Sequence, residues 1–249
     1  MPSLRLVAWN CHHGSLPARL SDLAEHSPDI VFLQECTPSE TLPLHGQFFT
    51  RRINSHKGIA LGSMNRDYQV TELPSMAGAG GAVITAAVTG PLSFTAMGIW
   101  SQRPYVDDVL RTLRTHPDLL RSAPSVVMGD FNSGTRISGE PGASLGHERI
   151  VNAFDELGLV SAYHAFHRVD HGKEAHPTYY HLFKADQPWH IDFCFVPKDW
   201  ADRLASVQIV DDQHLTERSD HRPVLVEISL AGTHSAQLSE NGSRSGENP

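Results

Sequence analysis

In this 249-residue chain, the polar side chains able to do chemistry together stand at the ends of short apolar runs. Asn10 follows LRLVAW, Glu35 follows IVFLQ, and Asp130 with Asn132 follows SVVMG. Asp192 and His221 do the opposite, standing at the start of FCFV and VLVEI, with Asp220 beside His221. Because antiparallel neighbours bring the start of one strand beside the end of another, all of these residues can meet on one sheet edge. Asn and Asp often serve as turn or capping residues at strand ends. That explains any one of them, but not the whole set in the same relation to strands. Glu35, Asp130, Asp192 and Asp220 gathered at one edge would repel one another, which calls for a bound cation. Oxygen donors suit a hard metal. Glu35 is the expected carboxylate ligand, with the amide oxygen of Asn10 nearby and waters completing the octahedron that Mg2+ prefers; Mn2+ is the substitute. A histidine next to a carboxylate, as His221 would be next to Asp192, has its imidazolium form favoured.

The elements that must position these groups are short. Leu4–Trp9, Ile30–Leu33, Gly58–Leu61, Ala82–Val88, Leu92–Ile99, Ser125–Met128, Ile191–Val196, Val207–Val210 and Val224–Leu230 are β-branched or apolar runs bounded by turn formers, and they read as strands. Pro17–His26, Val106–Leu120 with an interruption at Pro117, His147–Leu157 and Lys198–Leu204 carry apolar residues at helical spacing. Some strands follow one another directly and others are separated by a helix. This α/β pattern fits a mixed sheet or two packed sheets better than a purely parallel doubly wound fold.

Composition narrows the chemistry. With 40% hydrophobic residues the chain can bury a sizeable core. Its formal net charge of −8 argues against coating nucleic acid by bulk attraction, so any phosphate must be met locally. The 16 histidines are the unusual feature, since they titrate near neutral pH and also bind metals. Cys11, Cys36 and Cys194 supply neither a disulfide framework nor CxxC zinc spacing, which predicts reduced thiols in a cytoplasmic protein. No run approaches a membrane span, no signal peptide is evident and no obligate protein partner is implied. The Ser-, Gly-, Asn- and Glu-rich stretch 232–249 reads as a disordered tail outside a domain of residues 1–231.

The ordered motifs WN at Trp9 and Asn10, PDIVFLQE ending at Glu35, GDFN at 129–132, HIDF at 190–193 and SDHRP at 219–223 resemble the endonuclease/exonuclease/phosphatase family with the DNase I-like fold. The resemblance spans nearly the whole predicted domain. It implies a four-layer αββα sandwich of two packed mixed sheets that hydrolyses phosphate esters with a divalent cation, usually magnesium. It also implies that Asp130 orients and deprotonates the attacking water and that Asn132 holds that water or a phosphate oxygen. Asp192 then fixes the ring of His221, which contacts the phosphate, and Asp220 is a further metal ligand or an outer partner of the metal. The family covers nucleases, inositol phosphate phosphatases, sphingomyelinases and deadenylases, so the fold leaves the substrate open. The favoured expectation is a phosphodiesterase acting on DNA, RNA or a nucleotide-like ester. A phosphomonoesterase of small phosphorylated alcohols, a lipid-headgroup hydrolase and a non-catalytic binding protein that keeps the fold are the alternatives.

One position departs from the family. Where many members have a histidine or tyrosine after the strand preceding GDFN, this chain has Trp100, whose indole cannot transfer a proton at neutral pH. It reads either as packing under the site rim or as a substrate contact. The segment from Tyr163 to Trp189 is dense in His and aromatic residues and reads equally as core and loop or, functionally, as a substrate-recognition loop, with no cysteine close enough to complete a zinc site. Lys57 reads as a solvated loop lysine, and AGAGG at 77–81 as a turn rather than a phosphate cradle.

Overall fold

A computed structural model describes residues 2–37, 47–74, 82–115, 117–136 and 146–230. The AGAGG segment and the expected tail lie outside the described residues. In chain order the first strands are β1 (Ser3–Asn10), β2 (Ile30–Cys36), β3 (Gln47–Arg52), β4 (Gly58–Ser63) and β5 (Gln69–Glu72). They are followed by β6 (Ala82–Thr89), β7 (Phe94–Trp100), β8 (Ser125–Asp130), β9 (Leu159–Ser161) and β10 (Tyr179–Tyr180). The last are β11 (Pro188–Trp189), β12 (Asp192–Pro197), β13 (Leu204–Ile209) and β14 (Val224–Ser229). Helices are α1 (Leu16–Asp22), α2 (Tyr105–Thr115), α3 (Pro117–Arg121), α4 (His147–Glu156), α5 (Ala162–His167) and α6 (Gln213–Thr216).

Two six-stranded mixed sheets, ordered β13-β14-β1-β2-β4-β3 and β5-β6-β7-β8-β12-β9, pack face to face. The alternation of side chains along each strand fixes which residues face the other sheet. Leu4, Leu6 and Ala8 of β1 join Val126 and Met128 of β8 in the core between the sheets. Val7 and Trp9 face the other way, onto Leu16 and Leu20 of α1. On the far side, Val127, Phe193 and Phe195 pack against Val109, Ile150 and Phe154 of α2 and α4. The layers are therefore αββα. Strands covered on both faces need apolar residues at nearly every position, which is why they stand out in the sequence.

The register places the polar residues. In the first sheet β1 and β2 run parallel and β14 runs antiparallel to β1. In the second, β7 and β8 run parallel and β12 runs antiparallel to β8. Each sheet thus presents two strand ends and one strand start at the same edge.

Several elements differ from the sequence reading. Strands β3, β5 and β9 were not expected. They are edge strands with one neighbour each, short and partly exposed, so they lack an apolar run. The expected helix Pro17–His26 is α1 followed by a 3₁₀ turn at Ala24–His26, and Lys198–Arg203 is 3₁₀ rather than α-helix. The short helix α5 lies mostly in the segment read as a recognition loop, and α6 in a stretch with no assigned element.

Candidate active site

Asp130 closes β8 and sits at the centre of the edge. It is 1% exposed, and the glycine before it is required by the backbone: Gly129 has φ 138°, and a Cβ there would run into the Ile99 carbonyl. Asn10 Nδ2, from the other sheet, donates to Asp130 Oδ2 at 3.0 Å. Asn132 returns to the same carboxylate twice, through its backbone N–H to Oδ1 at 2.8 Å and its Nδ2 to Oδ2 at 3.0 Å. That turn needs Asn132 at φ 47°, a left-handed conformation that asparagine tolerates. The backbone carbonyl of Ser101, just after β7, accepts from Asn132 Nδ2 at 3.3 Å.

Asp192 faces Asp130 directly in the β8–β12 register. The Thr178 hydroxyl accepts the Asp192 backbone N–H at 3.0 Å, and the Asp192 carboxylate receives His221 Nδ1 at 2.9 and 3.2 Å. The opposite ring nitrogen, His221 Nε2, lies 4.0 Å from Asp130 Oδ2. Ser219 ties the end of β1 to the approach to β14 in the first sheet, donating to the Asn10 carbonyl at 2.6 Å while accepting the His221 N–H at 3.0 Å. Trp9 Nε1 donates to the His221 carbonyl, and Tyr179 lies against the His221 ring with centroids 4.4 Å apart.

Burial pushes the Asp130 carboxyl up to about 7, with Asp192 adding to the rise against the opposing charge of His221. Burial alone would push His221 down, but the charges of Asp192 and Asp130, the hydrogen bond to Asp192 and the charge of Asp220 lift it to about 9. His221 is therefore an imidazolium at neutral pH. Donor atoms of Asp130, Asp192 and His221 lie within 4.8 Å of one another and could also surround a cation. The short His221–Asp192 contact favours the ion pair, because a protonated ring has no lone pair to offer.

Glu35 reaches the edge through a bulge. The β2–β4 register shifts between Gln34 and Cys36, leaving Glu35 unpaired at φ 61°, as bulges beside functional sites often do. Lys57 Nζ donates to Glu35 Oε2 at 2.5 Å, so Lys57 is not the solvated loop lysine expected from sequence. Asn10 Oδ1 accepts the His12 N–H at 3.2 Å, and Asp220 Oδ1 lies 3.3 Å from His12 Nδ1, so the amide oxygen and this carboxylate flank one residue. Burial, then Asp220, Asp130, Glu35 and Asp192, raise the Tyr179 hydroxyl well above its ordinary value, a sign of how closely these carboxylates surround it. An oxygen-only donor set of Asn10, Glu35 and Asp220 fits a hard divalent cation.

The family model for the endonuclease/exonuclease/phosphatase family matches residues 7–221. The chain belongs to this family. No curated protein matches it in sequence. Solved structures share the fold at low identity. The endonuclease domain of TRAS1, a telomere-specific non-LTR retrotransposon, is 17% identical with TM-score 0.68, covering 92% of this chain and 99% of its own. The 3' phosphatase NExo from Neisseria, bound to a product DNA hairpin, is 19% identical with TM-score 0.68 and coverages of 91% and 99%. An AP endonuclease from Archaeoglobus fulgidus is 17% identical with TM-score 0.65 and coverages of 90% and 99%.

In this member of the family Trp100 pairs with Asp130 in the β7–β8 register and is 7% exposed within the core between the sheets. It is packing beneath the rim. The expected recognition segment divides in two. Tyr179, His181 and Trp189 cluster near His221, with Leu182 and Phe183 exposed at 62% and 50% and Phe183 5.6 Å from the His12 ring. His164, His171 and His190 instead turn inward, around Phe193. The roles of Lys57, Ser219, Thr178 and Tyr179 escape a sequence reading because each acts through a residue distant in the chain. Among described residues, no helix is long and apolar enough to cross a membrane.

Proposed function

We propose that this protein is a magnesium-dependent phosphodiesterase acting on nucleic acid or a nucleotide-like ester. The observation that carries the reading is the Asp192–His221 ion pair set against Asp130, which Asn10 and Asn132 hold from either side. Asp130, with a carboxyl poised near neutrality, takes the proton of the attacking water. Asn132 keeps that carboxylate turned and offers its amide to the water or to a phosphate oxygen. His221 stays charged and donates from Nε2 to a phosphoryl oxygen, where a fixed cation in a dry site spreads the negative charge of the transition state. Asp192 holds the ring and its proton. Glu35, Asn10 Oδ1 and Asp220 would hold the magnesium, which when bound would polarise the phosphoryl oxygen and stabilise the leaving oxyanion. Trp100 gives no proton to the leaving group, so esters with good leaving groups suit this site best.

A nucleic-acid substrate is favoured by the exposed Leu182 and Phe183 beside His12 at the rim, since apolar and aromatic side chains there can stack on bases. Two of the structural neighbours, a 3' phosphatase bound to a product DNA hairpin and an AP endonuclease, point the same way. The test is a panel of DNA, abasic DNA, RNA, 3'-phosphorylated DNA, inositol phosphates and sphingomyelin, each with magnesium, manganese or chelator. Magnesium-stimulated cleavage of a nucleic acid, reduced about 10² to 10⁴-fold in Asp130→Asn with substrate binding kept, is the expected result. No metal-stimulated hydrolysis by the folded protein would favour a binding protein that keeps the fold. Turnover confined to inositol phosphates or sphingomyelin would move the substrate class.

A further inference from the structure

Behind the catalytic edge, on the opposite face of β12, lies a second concentration of ligating groups. His164 Nε2 is 3.0 Å from Glu174 Oε1, and donor atoms of His164, His171 and Glu174 lie within 4.8 Å of one another. The His164 and His171 rings are stacked with centroids 3.5 Å apart. His147 lies 5.7 Å from the His171 ring and His190 6.0 Å from the His164 ring. His147 is fully buried and His190 is 8% exposed.

Hydrogen bonds anchor Nδ1 in three of these rings. Nδ1 of His147 is bonded to Ser133 Oγ at 2.8 Å, Nδ1 of His164 to Ser161 Oγ at 2.7 Å, and Nδ1 of His190 to the His176 carbonyl at 2.9 Å. The opposite nitrogen of His164 meets Glu174 Oε1. Nε2 of His147, Nε2 of His190 and Nδ1 of His171 are buried with no hydrogen-bond partner. Buried polar atoms without partners are rare in native proteins, and three on neighbouring imidazoles need an explanation. One nitrogen held by an oxygen and the other directed to a shared centre is how metal-ligating histidines are oriented.

We propose that His164, His171 and Glu174, completed by Nε2 of His147 or His190, hold a zinc ion distinct from the cation at the phosphoester edge. Imidazole donors with one carboxylate suit zinc and not magnesium, which demands oxygen. A buried site with protein ligands only is structural. It ties the start of α4, helix α5 and the 171–174 loop to the segment that leads into Asp192. The sequence offers no zinc spacing because the donors are dispersed between residues 147 and 190 and none is a cysteine. Protonation agrees with the geometry. Burial pushes His147 and His190 down to about 4 and His171 to about 3, leaving neutral rings with lone pairs. Although burial opposes it, the bond from His164 and the N–H of Gly172 hold Glu174 at about 2, so the carboxylate is charged.

The test measures metal in the full chain, with activity as a secondary readout. The chain is purified without chelator, dialysed against excess magnesium and analysed for bound metal, and about one zinc per chain should remain, as for a closed four-ligand site. Chelated protein should regain thermal stability on addition of zinc but not magnesium, and cobalt(II) in its place should give the visible absorption of a tetrahedral site. Glu174→Gln and His164→Ala should each weaken zinc retention at least about tenfold. His147→Phe, which keeps a ring against Phe193, separates loss of a ligand from loss of packing. A folded protein that neither retains zinc nor gains stability from it would overturn the proposal. So would zinc retention abolished by Glu35→Gln but untouched by Glu174→Gln, which would put the ion at the phosphoester edge.

Discussion

One buried imidazole and a cluster of three lie on opposite faces of β12, and they differ in charge state. On the face toward the other sheet, His221 meets Asp192, Asp130 and Asp220, and the carboxylates outweigh burial to keep the ring charged. On the face toward α4 and α5, His147, His171 and His190 share Glu174, and burial wins. The desolvation penalty acts in both places. The ratio of carboxylates to imidazoles decides whether a ring carries a proton to present to phosphate or a lone pair to present to a metal.

The largest expected effect breaks the charged side of that comparison. His221→Ala should lower turnover about 10² to 10³-fold in a folded protein, the scale of losing one preformed transition-state contact. A loss within a few-fold, read by steady-state kinetics on the best substrate of the panel, would remove the imidazolium from the reaction. Asp192→Asn should cost less, and unequally with pH. The carboxylate raises the His221 pKa, so without it the ring is still protonated at low pH but deprotonates earlier as pH rises. Rate profiles should therefore diverge toward high pH, whereas a uniform loss would mean that Asp192 only positions the ring.

The neutral side predicts a stability effect. His147, His171 and His190 have folded-state values below their ordinary 6.5, so the unfolded chain takes up protons first as pH falls. Their contribution is complete above about 6.5 and is lost progressively as pH falls through about 4 for His147 and His190 and toward about 3 for His171. Thermal melts of chelated protein should show the midpoint falling across that window, and less steeply in His147→Phe. Equal slopes for both proteins would show that His147 is not part of the acid-sensitive group.

The smallest effect asks which regime a new imidazole would join. Trp100 lies beside Asp130 in the register, so in Trp100→His the ring should be of the proton-holding kind and should speed esters with poor leaving groups more than good ones, by a few-fold. Equal changes for both leaving groups would mark Trp100 as packing alone.

Much of this architecture was legible beforehand, for a physical reason. Strands such as β1 and β8 are covered on both faces, so LRLVAW and SVVMG had to be apolar throughout and the polar residues closing them had to be conspicuous. The edge strands β3, β5 and β9 bury little and left no such trace. Within the site, Asn10, Asp130, Asn132, Asp192 and His221 could be brought to one edge from strand polarity alone. The Lys57–Glu35 pair could not, because a bulge turns Glu35 out of its strand register. Nor could the inward turn of His164 and His171, since an α5 of one and a half turns has no periodicity to read and their partners Glu174, His147 and His190 come from other elements.

What the sequence determined by itself was covalent and local: which runs must be buried, where each run stops, and which side chain stands at the stop. The tertiary structure decided how those side chains are charged. A carboxyl lifted to about 7 at Asp130 and an imidazole lifted to about 9 at His221, against rings lowered to about 3 or 4 at His171 and His190, follow from neighbours brought close through space. Burial and Coulomb interaction depend on distance in the fold and not on separation along the chain.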